Sequence, residues 1–147
     1  MIKKIALAFC AMLLLAGCSS SMKKHERVTN CQVMEFEKEI GNKVLFAYNT
    51  SSLSQEAQQS LMRQAQWLKA HPTFNITVEG HCDERGTREY NIALGERRAH
   101  AIKSFLMHNA VESDRIETIS YGKERPAVIG DNEAAWSKNR RGVTALR

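Results

Sequence analysis

Apolar positions change period more than once between residues 55 and 108. Ala57, Leu61, Ala65 and Leu68 share one face at near 3.6 spacing, which predicts an amphipathic helix. Ser54 stands ready to cap it, and Pro72 lies just past its end. Phe74, Ile76 and Val78 then alternate with Asn75, Thr77 and Glu79, the period of a strand with one buried face. A second helix is predicted over residues 91–108, with Asn109 as its stop. Residues 116–121 read as a strand, 122–130 as a loop, 131–140 as the place of a short helix and 143–146 as a last strand. Upstream, Val44-Leu45-Phe46 reads as a first strand and residues 49–52 as a polar loop. Val33, Phe36 and Ile40 suggest a weak helix broken by Gly41-Asn42. Strands alternating with helices predict an α/β fold, helices packed on a small mixed β-sheet.

The first residues, MIKKIALAFCAMLLLAGC, follow neither period. Lys3 and Lys4 precede an apolar run from Ile5 to Ala16. The run is shorter than the roughly 20 residues a bilayer span needs. Small residues close it, which is the layout of an export signal. Leu15-Ala16-Gly17-Cys18 resembles the lipobox of bacterial lipoproteins, in which the cysteine is lipidated and becomes the first mature residue. Ser19, where an aspartate would signal retention in the inner membrane, implies the outer membrane. Several acyl chains anchor stably where one does not. The expected organisation is a signal peptide over 1–17, a lipidated N-terminus and tether over 18–42, and a periplasm-facing domain over 43–147.

Composition changes this picture little. A chain of 147 residues has room for one domain with a core, and 43% hydrophobic with 25% charged residues argues for a folded one. Loss of Lys3 and Lys4 takes the formal charge from +5 to +3. That is too mild to argue for nucleic acid, and no motif for it is present. Cys31 and Cys82 remain after the signal and Cys18 are set aside, in a compartment that permits disulfides. They either pair or stay as two free thiols.

The candidate chemistry sits where the strand ending at Glu79 runs into GHCDERGTREYN, residues 80–91. Gly86 lets the loop turn sharply. Glu84, Arg85, Arg88 and Glu89 read as solvated loop charges. Strand alternation sends Cys82 away from His81 and Asp83, so the three do not read as a metal site. No pattern places an activating base beside Cys82. On the second helix, with Ile102 at the centre of the inward face, Gly95, Ala99, Phe105 and Leu106 lie within about 60°. Arg98 lies there too, at about 40°, and Asn91 at about 20°. An arginine on the apolar stripe needs a partner, and its fork suits a carboxylate. Asp83, at the carboxyl end of the strand, is the natural supplier. Two readings stand: Asp83 and Arg98 pair to close a loop, or they share a ligand bearing both charges, such as an amino acid.

Together, GHCDERGTREYNIALGERRAHAI, ISYGKERPAV and AAWSKNRR resemble the peptidoglycan-associated lipoproteins, a branch of the OmpA-like C-terminal domain family. The positions that carry the family pattern are Gly80, His81, Asp83, Gly86, Asn91, Leu94, Arg98 and Ala99, and the likeness covers about residues 43–143. It implies non-covalent binding of peptidoglycan through the diaminopimelate of the stem peptide. Asp83 would meet the ligand's ammonium and Arg98 its carboxylate. Asn91 and Arg140 match further pocket positions, and the backbone amides of Thr50 and Ser51 lie within reach of a ligand carboxylate. The resemblance also implies TolB as a partner in the Tol–Pal system, which serves cell division and envelope integrity. Asn49 stands where the family usually has an aspartate, and Cys82 where it has alanine or threonine. No cofactor is called for. Hydrolysis needs two groups set around a scissile bond, and the sequence lays out no such pair, so an enzyme is not expected. A protein-interaction subunit that has lost its grip on the wall is the competing reading.

Overall fold

The computed structural model describes residues 30–147. The signal segment and the expected lipidation site at Cys18 lie outside the described residues. The chain divides into two units, one up to Val33 and one from Met34 to Arg147. The second unit begins with helical residues that end in a π-helical stretch, Phe36–Gly41. There follow β1 (Lys43–Leu45), α1 (Gln55–Ala70), β2 (Ile76–His81) and α2 (Arg88–His108). A 3-10 turn, Ser113–Arg115, leads into β3 (Ile116–Gly122), and α3 (Glu133–Asn139) and β4 (Arg141–Leu146) close the domain. Among the described residues no helix is long and apolar enough to cross a membrane.

The sheet is mixed, in the order β1-β4-β2-β3. Strand β4 runs antiparallel to both β1 and β2, and β2 runs parallel to β3. The register places Val78 opposite Thr144, and Gly80 and Val44 opposite Gly142. Those residues are buried, together with Ile76, while Thr77, Glu79 and Glu117 point the other way and are at least partly exposed. The alternation of Phe74, Ile76 and Val78 therefore marks the one face that the helices cover. Helix α1 presents Ala57, Leu61, Ala65 and Leu68 to the core, all buried. The Ser54 hydroxyl accepts from the Ala57 amide, the cap its position predicts. A buried polar contact fixes α1 on the sheet: Thr144 Oγ1 donates to Gln64 Oε1 at 2.8 Å, and Gln64 Nε2 donates to the Gly41 carbonyl at 2.7 Å.

Helix α2 lies across β2 and touches it backbone to backbone. A Cβ at Gly80 would fall 1.8 Å from the Gly95 carbonyl oxygen. This approach sets where α2 sits along the strand, and hence where Arg98, one turn after Gly95, arrives. The helix starts three residues earlier than its apolar pattern predicts, because Thr87 caps it by accepting from the Tyr90 amide. The first turn, Arg88 to Tyr90, is polar and exposed, so no apolar periodicity marks it.

The N-terminal boundary also moves. Phe36 is fully buried, its ring 4.9 Å from that of Trp67, and Trp67 Nε1 donates to Glu35 Oε1 at 3.0 Å. The weak helix expected within a tether reaching residue 42 is thus part of the core. An aromatic partner supplied by α1, invisible to local periodicity, pulls it in.

Candidate functional site

A cleft of about 150 Å³ opens at the carboxyl end of β2, where α/β sheets place their ligands. Its walls come from the loop after β1 (Tyr48, Asn49), the loop after β2 (Cys82, Asp83, Arg85) and the inward face of α2 (Asn91, Arg98). It is smaller than the 300–1,000 Å³ that encloses a drug-sized ligand, and it suits one charged end of a longer molecule.

The strand loses its alternation just before this point. Register shifts between Gly80 and His81, and His81, Cys82 and Asp83 are then all buried. Each nevertheless turns to a different partner. His81 Nε2 lies 3.2 Å from Glu79 Oε2. The Cys82 thiol donates to the Asn91 carbonyl at 3.3 Å. Burial pushes that thiol's pKa up, so it stays protonated and unreactive. Cys31 and Cys82 are both free, the first exposed and the second buried.

Asp83 and Arg98 line one cleft, but they do not pair with each other. Arg98 is fully buried, and its three nitrogens donate to three main-chain carbonyls: Nε to Thr50 at 2.9 Å, Nη1 to His81 at 2.8 Å and Nη2 to Ala47 at 3.1 Å. Its guanidinium also lies over the Phe46 ring, 5.1 Å from the centroid. The expectation of a carboxylate partner is thus corrected. Peptide oxygens from the loop after β1 and from the end of β2 supply the acceptors that burial demands, and they leave a net positive charge in the floor of the cleft. Burial lowers the Arg98 pKa, the nearby Cys82 and Asp83 oppose this, and a guanidinium keeps its proton throughout.

Asp83 is also buried and is held by two other arginines. Arg85 forks it, Nε to Oδ1 at 3.1 Å and Nη2 to Oδ2 at 2.7 Å, and the Arg85 amide adds a third bond to Oδ1 at 3.1 Å. Arg140 Nη1 reaches Oδ2 at 3.4 Å. Burial alone would raise the Asp83 pKa. The bonds from Arg85, and after them the one from Arg140, outweigh burial and hold the carboxyl below its ordinary value.

The other expected residues have supporting places. Asn91 is buried, and its side-chain nitrogen donates to the carbonyls of Arg85 (2.9 Å) and Thr87 (3.0 Å). Both partners are carbonyls, so the amide can point only one way, and it locks the loop. Thr50 acts through its carbonyl on Arg98 and does not line the cleft. Arg140 stands behind Asp83, bonded also to the Phe46 carbonyl and to Glu133.

Arg85 is not the solvated charge the sequence suggested. Its guanidinium lies 4.1 Å from the Tyr48 ring centroid and 4.0 Å from that of Trp136. Glu84 is also engaged, accepting from Trp136 Nε1 at 3.1 Å. Tyr48, Tyr90 and Trp136 carried no local signal, because they come from three separate elements. Tyr90 donates its hydroxyl to Asn49 Oδ1, and Asn49 sits in the left-handed region at φ 52°, which asparagine tolerates better than most residues.

Residues 45–140 match the model of the OmpA family. The peptidoglycan-associated lipoprotein of Mesorhizobium japonicum is 45% identical over 97% of this chain and 90% of its own length. That of Agrobacterium fabrum is 52% identical over 76% of this chain and 63% of its own. Among solved structures, the peptidoglycan-associated lipoprotein from Burkholderia pseudomallei superposes with a TM-score of 0.73 at 36% identity, covering 78% of this chain and 98% of that one. The C-terminal domain of Helicobacter pylori MotB shares the fold, with a TM-score of 0.68 at 20% identity over 72% of this chain and 84% of its own.

Proposed function

Because this chain belongs to the OmpA family and, within it, to the peptidoglycan-associated lipoproteins, we propose that its domain binds peptidoglycan by gripping the diaminopimelate of the stem peptide. The observation that carries the reading is the cleft itself, an ionised carboxylate and a buried guanidinium in one small space without a bond between them. A zwitterionic end group complements that arrangement. Its ammonium meets Asp83, and its carboxylate turns to the positive floor made by Arg98. Three of the five Arg98 N–H groups hold peptide oxygens, which leaves two for a ligand. Asn91 and Arg140 act behind the contact, one by fixing the loop and the other by orienting the Asp83 carboxylate.

In this reading Cys18 carries the acyl chains that hold the protein in the outer membrane, and the domain ties that membrane to the wall without catalysis. The Tol–Pal system, with TolB as a protein partner, is the setting that the likeness to the peptidoglycan-associated lipoproteins supports.

Co-sedimentation with purified peptidoglycan tests the core of the proposal. The wild-type protein is expected in the pellet, and free meso-diaminopimelate is expected to release it. Asp83→Asn is expected to stay in the supernatant while keeping its circular dichroism spectrum. A folded Asp83→Asn protein that still pellets with the wall would show that the ammonium site lies elsewhere.

A further inference from the structure

The Asp83 carboxylate has room for about four hydrogen bonds. All four are filled within the domain, three by Arg85 and one by Arg140. A ligand cation at Asp83 therefore has to displace something. Arg140 is buried to 6% exposure and also tied to Phe46 and Glu133, so it is not free to leave. The Arg85 side chain is 31% exposed, and its guanidinium holds only Asp83 and the two aromatic faces.

We infer that Arg85 is the built-in occupant of the cation site: its guanidinium fills the place between Asp83, Tyr48 and Trp136 that a ligand ammonium takes in exchange. This rests on the diaminopimelate reading above and goes beyond it. The site is a carboxylate flanked by two aromatic faces, a combination that attracts alkylammonium and guanidinium groups alike. Exchange needs only a side-chain swing, because the loop backbone is anchored separately. Lys123 Nζ donates to the carbonyls of Glu84 (3.1 Å) and Gly86 (2.6 Å), Asn91 holds the Arg85 carbonyl, and Glu84 is tied to Trp136. The Arg85 amide stays on Asp83 Oδ1 when its side chain departs. Arg85 thus keeps the buried carboxylate paired in the empty domain and lowers apparent affinity by competing with the incoming charge.

The test is calorimetric titration of the purified full chain with free meso-diaminopimelate, for wild type, Arg85→Gln and Asp83→Asn. NMR detection of the indole N–H resonances accompanies it. The chain has two tryptophans, so the Trp136 signal is separable from that of Trp67. Arg85→Gln is expected to bind about tenfold more tightly, and saturating ligand is expected to shift the wild-type Trp136 resonance as its stacked guanidinium departs. Equal or weaker binding by Arg85→Gln overturns the inference. So does a wild-type Trp136 resonance unmoved at saturation. Asp83→Asn binding as tightly as wild type overturns instead the diaminopimelate reading beneath it, and the inference falls with that reading.

Discussion

Replacing Gly80 by alanine adds one carbon where the domain has no space for it. The new Cβ would lie 1.8 Å from the Gly95 carbonyl oxygen, 2.5 Å from its carbon and 3.0 Å from its Cα. Carbon–oxygen contact begins near 3.4 Å, so helix and strand must part by about 1.5 Å. Both sides of the contact are backbone, and neither can rotate away. Overpacking a tight core costs about 1–3 kcal/mol, and the absence of a side chain to yield puts this case at the upper end, about 3 kcal/mol. For a domain of this size that is a fall of about 10 °C in Tm. Helix α2 cannot move alone, because Ser120 Oγ holds the Ile92 carbonyl at 2.7 Å and the Ile102 side chain lies where a Cβ on Gly142 would stand. The strain is passed on to Arg98, whose bonds of 2.8–3.1 Å to three carbonyls do not survive stretching by an ångström. Gly95→Ala is the internal control. Its nearest clash is the Ser120 hydroxyl at 2.3 Å, a side-chain atom that can turn aside by giving up its bond to Ile92, and the nearest backbone atom, the Gly80 carbonyl oxygen, stands at 2.9 Å, so it is expected to cost less than Gly80→Ala. Urea midpoints read both variants. A Gly80→Ala protein within about 0.5 kcal/mol of wild type would show that α2 rides more loosely on β2 than its geometry says.

Three further outcomes can be checked with similar means. Arg98→Met leaves three carbonyls without donors, that of His81 buried and those of Thr50 and Ala47 part-buried, and is expected to lose about 4 kcal/mol in urea denaturation, since each orphaned buried group costs about 1–3 kcal/mol; Arg98→Lys, with a point charge in place of a planar fork, is expected to recover less than half of that. Stability should decline in acid in two windows. Burial, and then the charge of Arg141, lower the His81 pKa against the pull of Glu79. The unfolded chain therefore takes up that proton first, and stability is complete above about pH 6.5 and falls below it toward the folded pKa. The Asp83 pKa is depressed in the folded state, so its contribution is complete above about pH 3.9 and is lost as pH falls through the folded value. Urea midpoints measured from pH 8 to 2 should show His81→Gln flattening the upper window and Asp83→Asn the lower; an unchanged profile in His81→Gln would remove that residue from the account.

What could be read from the sequence follows from how local each interaction is. Ser54 and the stripe from Ala57 to Leu68 act within one helix, and Ile76 and Val78 within one strand, so their patterns are complete in themselves. Arg98 was legible as an anomaly, since helix geometry alone turns it inward. Its partners were not, because Ala47, Thr50 and His81 become acceptors only once the loop after β1 and the sheet have assembled around it. A carboxylate was the natural expectation for an isolated charge, and a ring of peptide oxygens leaves no trace in residue type. Arg85 was misread for a similar reason. Its environment is made by Tyr48 and Trp136, 37 positions before it and 51 after it. Thr87 was missed as a cap because the turn it starts carries no apolar residue.

The triple anchorage of Arg98 also bears on how a weakened protein would fail. One side chain ties the loop after β1, held at Ala47 and Thr50, to the end of β2, held at His81. A molecule in which any of the three has come loose has lost the floor of its cleft as well as part of its fold. Intermediate states with a half-strength grip are therefore scarce. Damage that lowers stability without touching Asp83, Arg85 or Arg98 should leave each surviving molecule with full affinity and reduce only how many survive. In a binding isotherm, such a defect lowers the plateau and leaves the midpoint in place.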